Sequence, residues 1–344
     1  MNRQEYIVGE NVKAVFDRDT MAIELYSNGG TLWKDWLERA NIQRCKIISI
    51  RVAEGTVYLP EDFSGLAEGS RFAAFSNLVN LEYIDMNGFD SSHVKDMQFM
   101  FKNCNLKSLD LRGLDTSNVT NMRNMFQDCR NLQSLNLAGI NTSKVTDMQK
   151  MFQRCSDLKS LDLRGFDTSN VTDMTDMFRG CYKITNIYLN GLNTSNVKSM
   201  NGMFYQCYKL TDLYLGSFDT SNTTDMSWMF GECHSLTVID IDPKKFNTSN
   251  VTNMSHMFKE CYGIQSLNLS SFNTSKVTNM RRMFFRCRDI CSIDLRNADT
   301  ANVDNFEEMF ALCGKLRTLR MSATTNTNTR TGNMFLGCQN VQII

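Results

Sequence analysis

Met148-Gln-Lys-Met-Phe-Gln-Arg-Cys155 is followed, 26 residues on, by Met174-Thr-Asp-Met-Phe-Arg-Gly-Cys181 and then by Met200-Asn-Gly-Met-Phe-Tyr-Gln-Cys207. The same phase runs through ten cysteines, at 104, 129, 155, 181, 207, 233, 261, 287, 313 and 338. Six steps are 26 residues, two are 25 and one is 28. Eighteen of the 22 methionines belong to this motif. A fixed period of this length is the mark of a stacked repeat array, in which each repeat touches only its neighbours.

Outward from the motif, Leu132-Gln-Ser-Leu-Asn-Leu137 alternates at period two. Leu135 and Leu137 face inward, and Ser134, Asn136 and Ala138 face outward, as in a strand. Ile140-Asn-Thr-Ser-Lys-Val145 is rich in side chains that bond to nearby backbone and favour turns. Thr146 then stands as a helix N-cap, with Asp147 in the first turn. Met148, Met151, Phe152 and Cys155 lie at i, i+3, i+4 and i+7, the spacing of one helical face. The expected coil is therefore strand, polar turn and short helix, and about eleven such coils fill the array.

The strand leucines spell the leucine-rich-repeat signature. Phe166-Asp-Thr-Ser-Asn-Val-Thr-Asp-Met174, with Met177-Phe178, Cys181 and the strand Ile187-Tyr-Leu189, resembles the BspA-like bacterial surface-protein repeat over about residues 75 to 344. The resemblance implies an α/β, right-handed leucine-rich-repeat solenoid, secreted or surface-anchored, with adhesion or binding as its role. Fold-level likeness does not name a ligand.

Residues 1–70 lack the repeat and read as a small α+β cap; residues 71–344 are the array. Asn11–Phe16 and Met21–Tyr26 suggest a hairpin around Asp17–Thr20. Thr31–Leu37 suggests a helix capped by Thr31, and Lys46–Val52 a strand. An atypical end that covers the first coil is what a repeat array requires. Asp242-Pro-Lys-Lys245 supplies the two surplus residues of the 28-residue step and should bulge at a strand exit. Met321–Arg330 has lost most of the turn pattern. Val341–Ile344 reads as a last strand, whose open edge offers a surface for self-association.

The 37 basic and 37 acidic side chains balance, so there is no electrostatic footprint for nucleic acid. No apolar run reaches the length of a membrane helix. The start, Met1–Glu10, has no apolar signal core, and Val341–Ile344 has no wall anchor or lipidation box. This leaves a cytoplasmic location as the counterpart to the surface location that the resemblance implies.

Three histidines, His93, His234 and His256, sit away from any evident nucleophile, and no phosphate loop or zinc motif is present. No catalytic residue, cofactor or metal site is expected. The ladder cysteines lie in a line, not in converging pairs, and read as buried thiols. Cys45 and Cys291 are out of phase, and Cys291 falls at a polar strand-entry position.

The outward strand row runs Asp110, Asn136, Asp162, Tyr188, Tyr214, Asp240, Asn268, Asp294, Arg320. Two consecutive tyrosines interrupt a polar row, and tyrosine is favoured at binding surfaces. Tyr188 and Tyr214, flanked by Asp162 and Asp240, are the candidate ligand-binding residues. A second row, Tyr182, Tyr208, His234 and Tyr262, follows the ladder cysteines; the plain alternative is that stacked tyrosines pack on one another, and the strand-row pair is the better candidate because its position points away from the core. The expected function is recognition of a protein or glycan through the strand face. The alternatives are a cytosolic protein-interaction scaffold and an enzyme whose site lies in residues 1–70.

Overall fold

The computed structural model describes residues 2–62, 75–321 and 329–344. The boundary expected at 70/71 and most of the irregular stretch Met321–Arg330 fall outside the described residues. The chain forms two compact units, Met1–Asn170 and Val171–Ile344, both built from leucine-rich coils.

In the first unit, β1 (Arg3–Gly9), β2 (Val12–Asp17) and β3 (Ala22–Ser27) form an antiparallel meander. The expected hairpin is β2–β3. β4 (Gly30–Thr31) follows, then α1 (Trp36–Arg39), β5 (Ser49–Glu54) and β6 (Val57–Tyr58). The helix is shorter than expected and begins after Asp35, because Thr31 is taken into β4. β7 (Tyr83–Ile84) and β8 (Phe89–Asp90) belong to the first coil. β5 pairs in parallel with β3 on one side and β7 on the other, so the early sheet continues into the coils. β9 (Ser108–Asp110), β10 (Ser134–Asn136) and β11 (Ser160–Asp162) complete the unit, with β9 and β10 paired in parallel.

The second unit carries β12 (Asn186–Tyr188), β13 (Asp212–Tyr214), β14 (Val238–Asp240), β15 (Ser266–Asn268), β16 (Ser292–Leu295), β17 (Thr318–Met321) and β18 (Gln342–Ile343). β13 pairs with β14, and β15 to β18 form one parallel sheet in sequence order.

One element of the coil differs from expectation. Met148–Cys155 is a string of tight turns, and the described residues hold no α-helix in the repeats. Met151 donates to the Met148 carbonyl, Gln153 to Lys150 and Cys155 to Phe152, each three residues back. Lys150 and Arg154 adopt the left-handed conformation, with φ of 58° each. Alternate amides bond between coils: Asn124 to Gln149, Phe126 to Met151 and Asp128 to Gln153, at 2.8–2.9 Å. The reason is thickness. Because these segments are hydrogen-bonded coil to coil as strands are, they too lie about 4.8 Å apart, which leaves no room for helices of about 10 Å diameter. Turns satisfy the same i, i+3, i+4, i+7 burial pattern and hand their backbone groups to the next coil. Thr146 accordingly caps nothing; its amide and hydroxyl donate to the Thr120 carbonyl, and Asp147 accepts the Gln149 amide.

The repeat motif is a set of ladders. In the second unit, the rings of Phe178, Phe204, Phe230, Phe258, Phe284, Phe310 and Phe335 stack at 5.3–5.9 Å. From Cys207 to Cys338 the ladder thiols donate to the phenylalanine carbonyl one coil back, for example Cys233 to Phe204 at 3.1 Å and Cys287 to Phe258 at 3.0 Å. A buried threonine hydroxyl reaches the next coil, as Thr220 to the Asn247 carbonyl at 2.8 Å. An asparagine amide reaches the preceding one, as Asn222 to Ser195. These ladders match buried polar groups of one coil with the coil beside it, as interior burial requires.

Candidate functional site

Period two on the strands sets the outward row. Ile187 and Leu189 bracket Tyr188, and Leu213 and Leu215 bracket Tyr214; all four aliphatic residues are buried. Tyr188 is 45% exposed and Tyr214 54%. They are the last, outward-facing residues of β12 and β13, one coil apart. Asp240 stands directly beside Tyr214 in the β13–β14 register.

Elsewhere in the row, each aspartate is neutralised by an arginine two residues on. Asp110 accepts from Arg112 at 2.8 Å and Asp162 from Arg164 at 2.6 Å, and Asp294 pairs with Arg296. Those hydrogen bonds hold the three carboxyls below the ordinary carboxylate range. Asp240 is followed by Ile241 and Asp242, so this cation is missing, and no described residue partners the Asp240 side chain. The row is therefore charge-balanced at its ends and apolar with an acidic margin at Tyr214 and Asp240. Asp162 lies on the strand face of the first unit, already paired to Arg164.

The second aromatic row is packing. Tyr182, Tyr208, His234 and Tyr262 stack at 5.0, 4.6 and 4.6 Å, with 8–15° between planes, so ring faces are used on each other. The ladder cysteines are buried, except Cys338, which is half-buried; Cys45 and Cys291 are exposed. Among the described residues no cysteine is in a disulfide. Burial pushes the thiols of Cys129 and Cys233 up to about 12.

A third grouping was not legible in the repeat. Arg179 lies 4.8 Å from the Tyr205 ring, and Tyr205 meets Trp228 at 4.8 Å. Trp228 stacks on His256 at 4.0 Å, and Lys259 sits 5.0 Å over the indole. Glu232 accepts from the Tyr205 hydroxyl at 3.1 Å, from Gln206 at 3.0 Å and from Lys259 at 3.1 Å. Burial, with Lys259, Arg282 and Arg281 nearby, lowers the His256 pKa to about 4. Its Nδ1 is buried without a partner. These residues come from variable positions in different coils, so only coil stacking brings them together. Their charges and ring faces are spent on one another.

Among the described residues no group of three or more histidine, cysteine or acidic side chains could hold a metal ion. No helix among them is long and apolar enough to cross a membrane.

No curated protein matches the chain. Among solved structures it is similar to a leucine-rich repeat protein from Eubacterium ventriosum, at 13% identity over 99% of this chain and 96% of that one, with a TM-score of 0.46. A leucine-rich repeat protein from Bacteroides ovatus is 16% identical over 93% of each chain, with a TM-score of 0.40. A leucine-rich cell surface protein from Faecalibacterium prausnitzii is 13% identical over 92% of this chain and 88% of that one, with a TM-score of 0.30. The family described as "Mycoplasma protein of unknown function, DUF285" matches residues 71–187, 157–241 and 237–343. With three successive matches spanning nearly the whole array, the chain belongs to the DUF285 family.

Proposed function

We propose that the protein is a non-enzymatic recognition module that binds a protein or glycan through the strand face of residues 171–344. Tyr188 and Tyr214 form the contact, and Asp240 lies on its margin. One observation carries this reading: two exposed tyrosines stand in consecutive coils, beside the row's aspartate that lacks a paired arginine. Exposed tyrosine gives contact area at low entropic cost, and an uncompensated carboxylate favours a basic side chain or a sugar hydroxyl. Residues 1–70 act as the cap of the coil stack that follows. The parallel pairing of β5 with β7 and the start of the family match at residue 71 support that assignment.

The test is binding to a glycan array and to an array of lysine- and arginine-rich peptides. Tyr188→Ala with Tyr214→Ala should abolish capture and leave the thermal midpoint nearly unchanged. Asp240→Asn should weaken basic peptides selectively. A folded double variant that captures the same ligands places binding elsewhere, and a double variant that unfolds makes the tyrosines part of the core.

A further inference from the structure

The 28-residue step does more than lengthen a loop. Lys245 and Phe246 donate to the Asp242 carbonyl, at 3.0 and 2.8 Å, and Lys244 donates to the Asp242 carboxylate. The two surplus residues are thus wound into a turn at the exit of β14. On one side β14 pairs with β13, and Leu215 donates to the Asp240 carbonyl at 2.7 Å. On the other side no strand hydrogen bond joins β14 to β15. The chain instead crosses back at Gly263, whose amide donates to the His234 carbonyl at 3.0 Å. A side chain at Gly263 would place its Cβ 2.6 Å from the Leu236 carbonyl oxygen. The coils are drawn together there and parted at the strands.

The parting opens the core. Ile239, Ile241 and Leu267 are half-buried, whereas their counterparts Leu213, Leu215 and Ile293 are buried. Between β14 and β15 lies a cavity of about 330 Å³. Its apolar wall includes two stacked ring pairs, Phe230 with Phe258 at 5.3 Å and Phe246 with Phe272 at 5.7 Å. No lining residue is ionisable, and Thr237, Ser266 and Asn268 supply the polar groups. A neighbouring strand-face cavity, which shares Ser266, Leu267 and Asn268 with it, is lined by Asp294 and Arg320.

We infer that the slit between β14 and β15 is a binding site for a small uncharged apolar molecule carrying at most a hydroxyl or carbonyl. The volume lies at the lower end of the range for ligand sites, about 300–1,000 Å³. An ion would lose its hydration there without meeting a countercharge. A neutral chain or single ring would instead exchange water for phenylalanine and aliphatic surface, with its polar end at the threonine, serine and asparagine. The site is separate from Tyr188 and Tyr214 and does not depend on them.

The experiment titrates the full chain with the neutral fluorophore N-phenyl-1-naphthylamine and displaces it with n-octanol, octanoate or octylammonium. Saturable one-to-one binding is expected. Octanol should displace the probe at a concentration at least tenfold below either ion. Leu267→Phe, which fills the slit, should weaken the probe at least tenfold, as should deletion of Lys244 and Lys245, which restores the 26-residue step. Tyr188→Ala with Tyr214→Ala should leave probe binding unchanged. The inference is overturned by unsaturable binding to the wild type, by equal displacement by the ions, or by full probe affinity in a folded filling variant. If neither slit variant folds, the displacement series on the wild type still decides.

Discussion

Thr220→Val tests whether the hydroxyl ladder holds the coils together. The Thr220 side chain is fully buried, and its hydroxyl lies 2.8 Å from the Asn247 carbonyl of the next coil. Among the described residues it is the only donor to that carbonyl. Valine keeps the shape and β-branching and removes only the donor. The loss is then the desolvation of an orphaned carbonyl, about 1–3 kcal/mol. The greater apolarity of valine offsets part of this, which keeps the cost in the lower part of that range. Thr224→Val, in the same coil, is the internal control. The Thr224 hydroxyl is 3.2 Å from the Lys198 carbonyl, but that carbonyl also receives the Thr224 amide at 2.9 Å. Its loss should cost under about 0.5 kcal/mol, the range of ordinary surface substitutions. Both variants are measured by urea unfolding followed by circular dichroism, with unchanged slope as the condition for comparison. Equal effects of the two substitutions would show that the ladder hydroxyls add nothing beyond their volume.

Phe204 is buried and stacked on both sides, at 5.5 and 5.9 Å, so Phe204→Ala should cost about 3–5 kcal/mol by denaturant unfolding. A loss under about 1 kcal/mol would mean that the ring column is not the spine of the unit. Thiol titration of native protein with an aromatic disulfide reagent should label Cys45 and Cys291 first, and the buried ladder only on unfolding. Rapid native labelling of Cys233 would contradict its burial, which raises its pKa to about 12. The folded His256 imidazole titrates at about 4, below its ordinary value, so the unfolded chain binds the extra proton between these limits. This contribution is fully present above about pH 6.5 and is lost as pH falls toward 4. Allowing for partial solvent screening, it amounts to about 2 kcal/mol. His256→Phe should flatten that part of the pH–stability curve, and an NMR titration placing His256 near 6.5 would refute the shift.

Much of this protein is determined one residue at a time. The 26-residue phase fixes which side chains face inward, because the direction a side chain takes depends on its position within a coil. Leu213 and Leu215 are inside and Tyr214 is outside on the strength of period two alone. The thiol row is buried for the same reason. Hydrogen-bond partners are a different matter. The spacing of Met148, Met151, Phe152 and Cys155 suits a helix or a string of turns equally. The choice fell to the neighbouring coil, whose amides claim the carbonyls of Gln149, Met151 and Gln153. Two surplus residues at Asp242–Lys245 forecast a bulge. That β14 and β15 part over two phenylalanine pairs required the stacked coils themselves. The meeting of Arg179, Tyr205, Trp228 and His256 is likewise tertiary. Arg179 and Tyr205 share one repeat position and Trp228 and His256 another, and the two pairs meet only when successive coils stack.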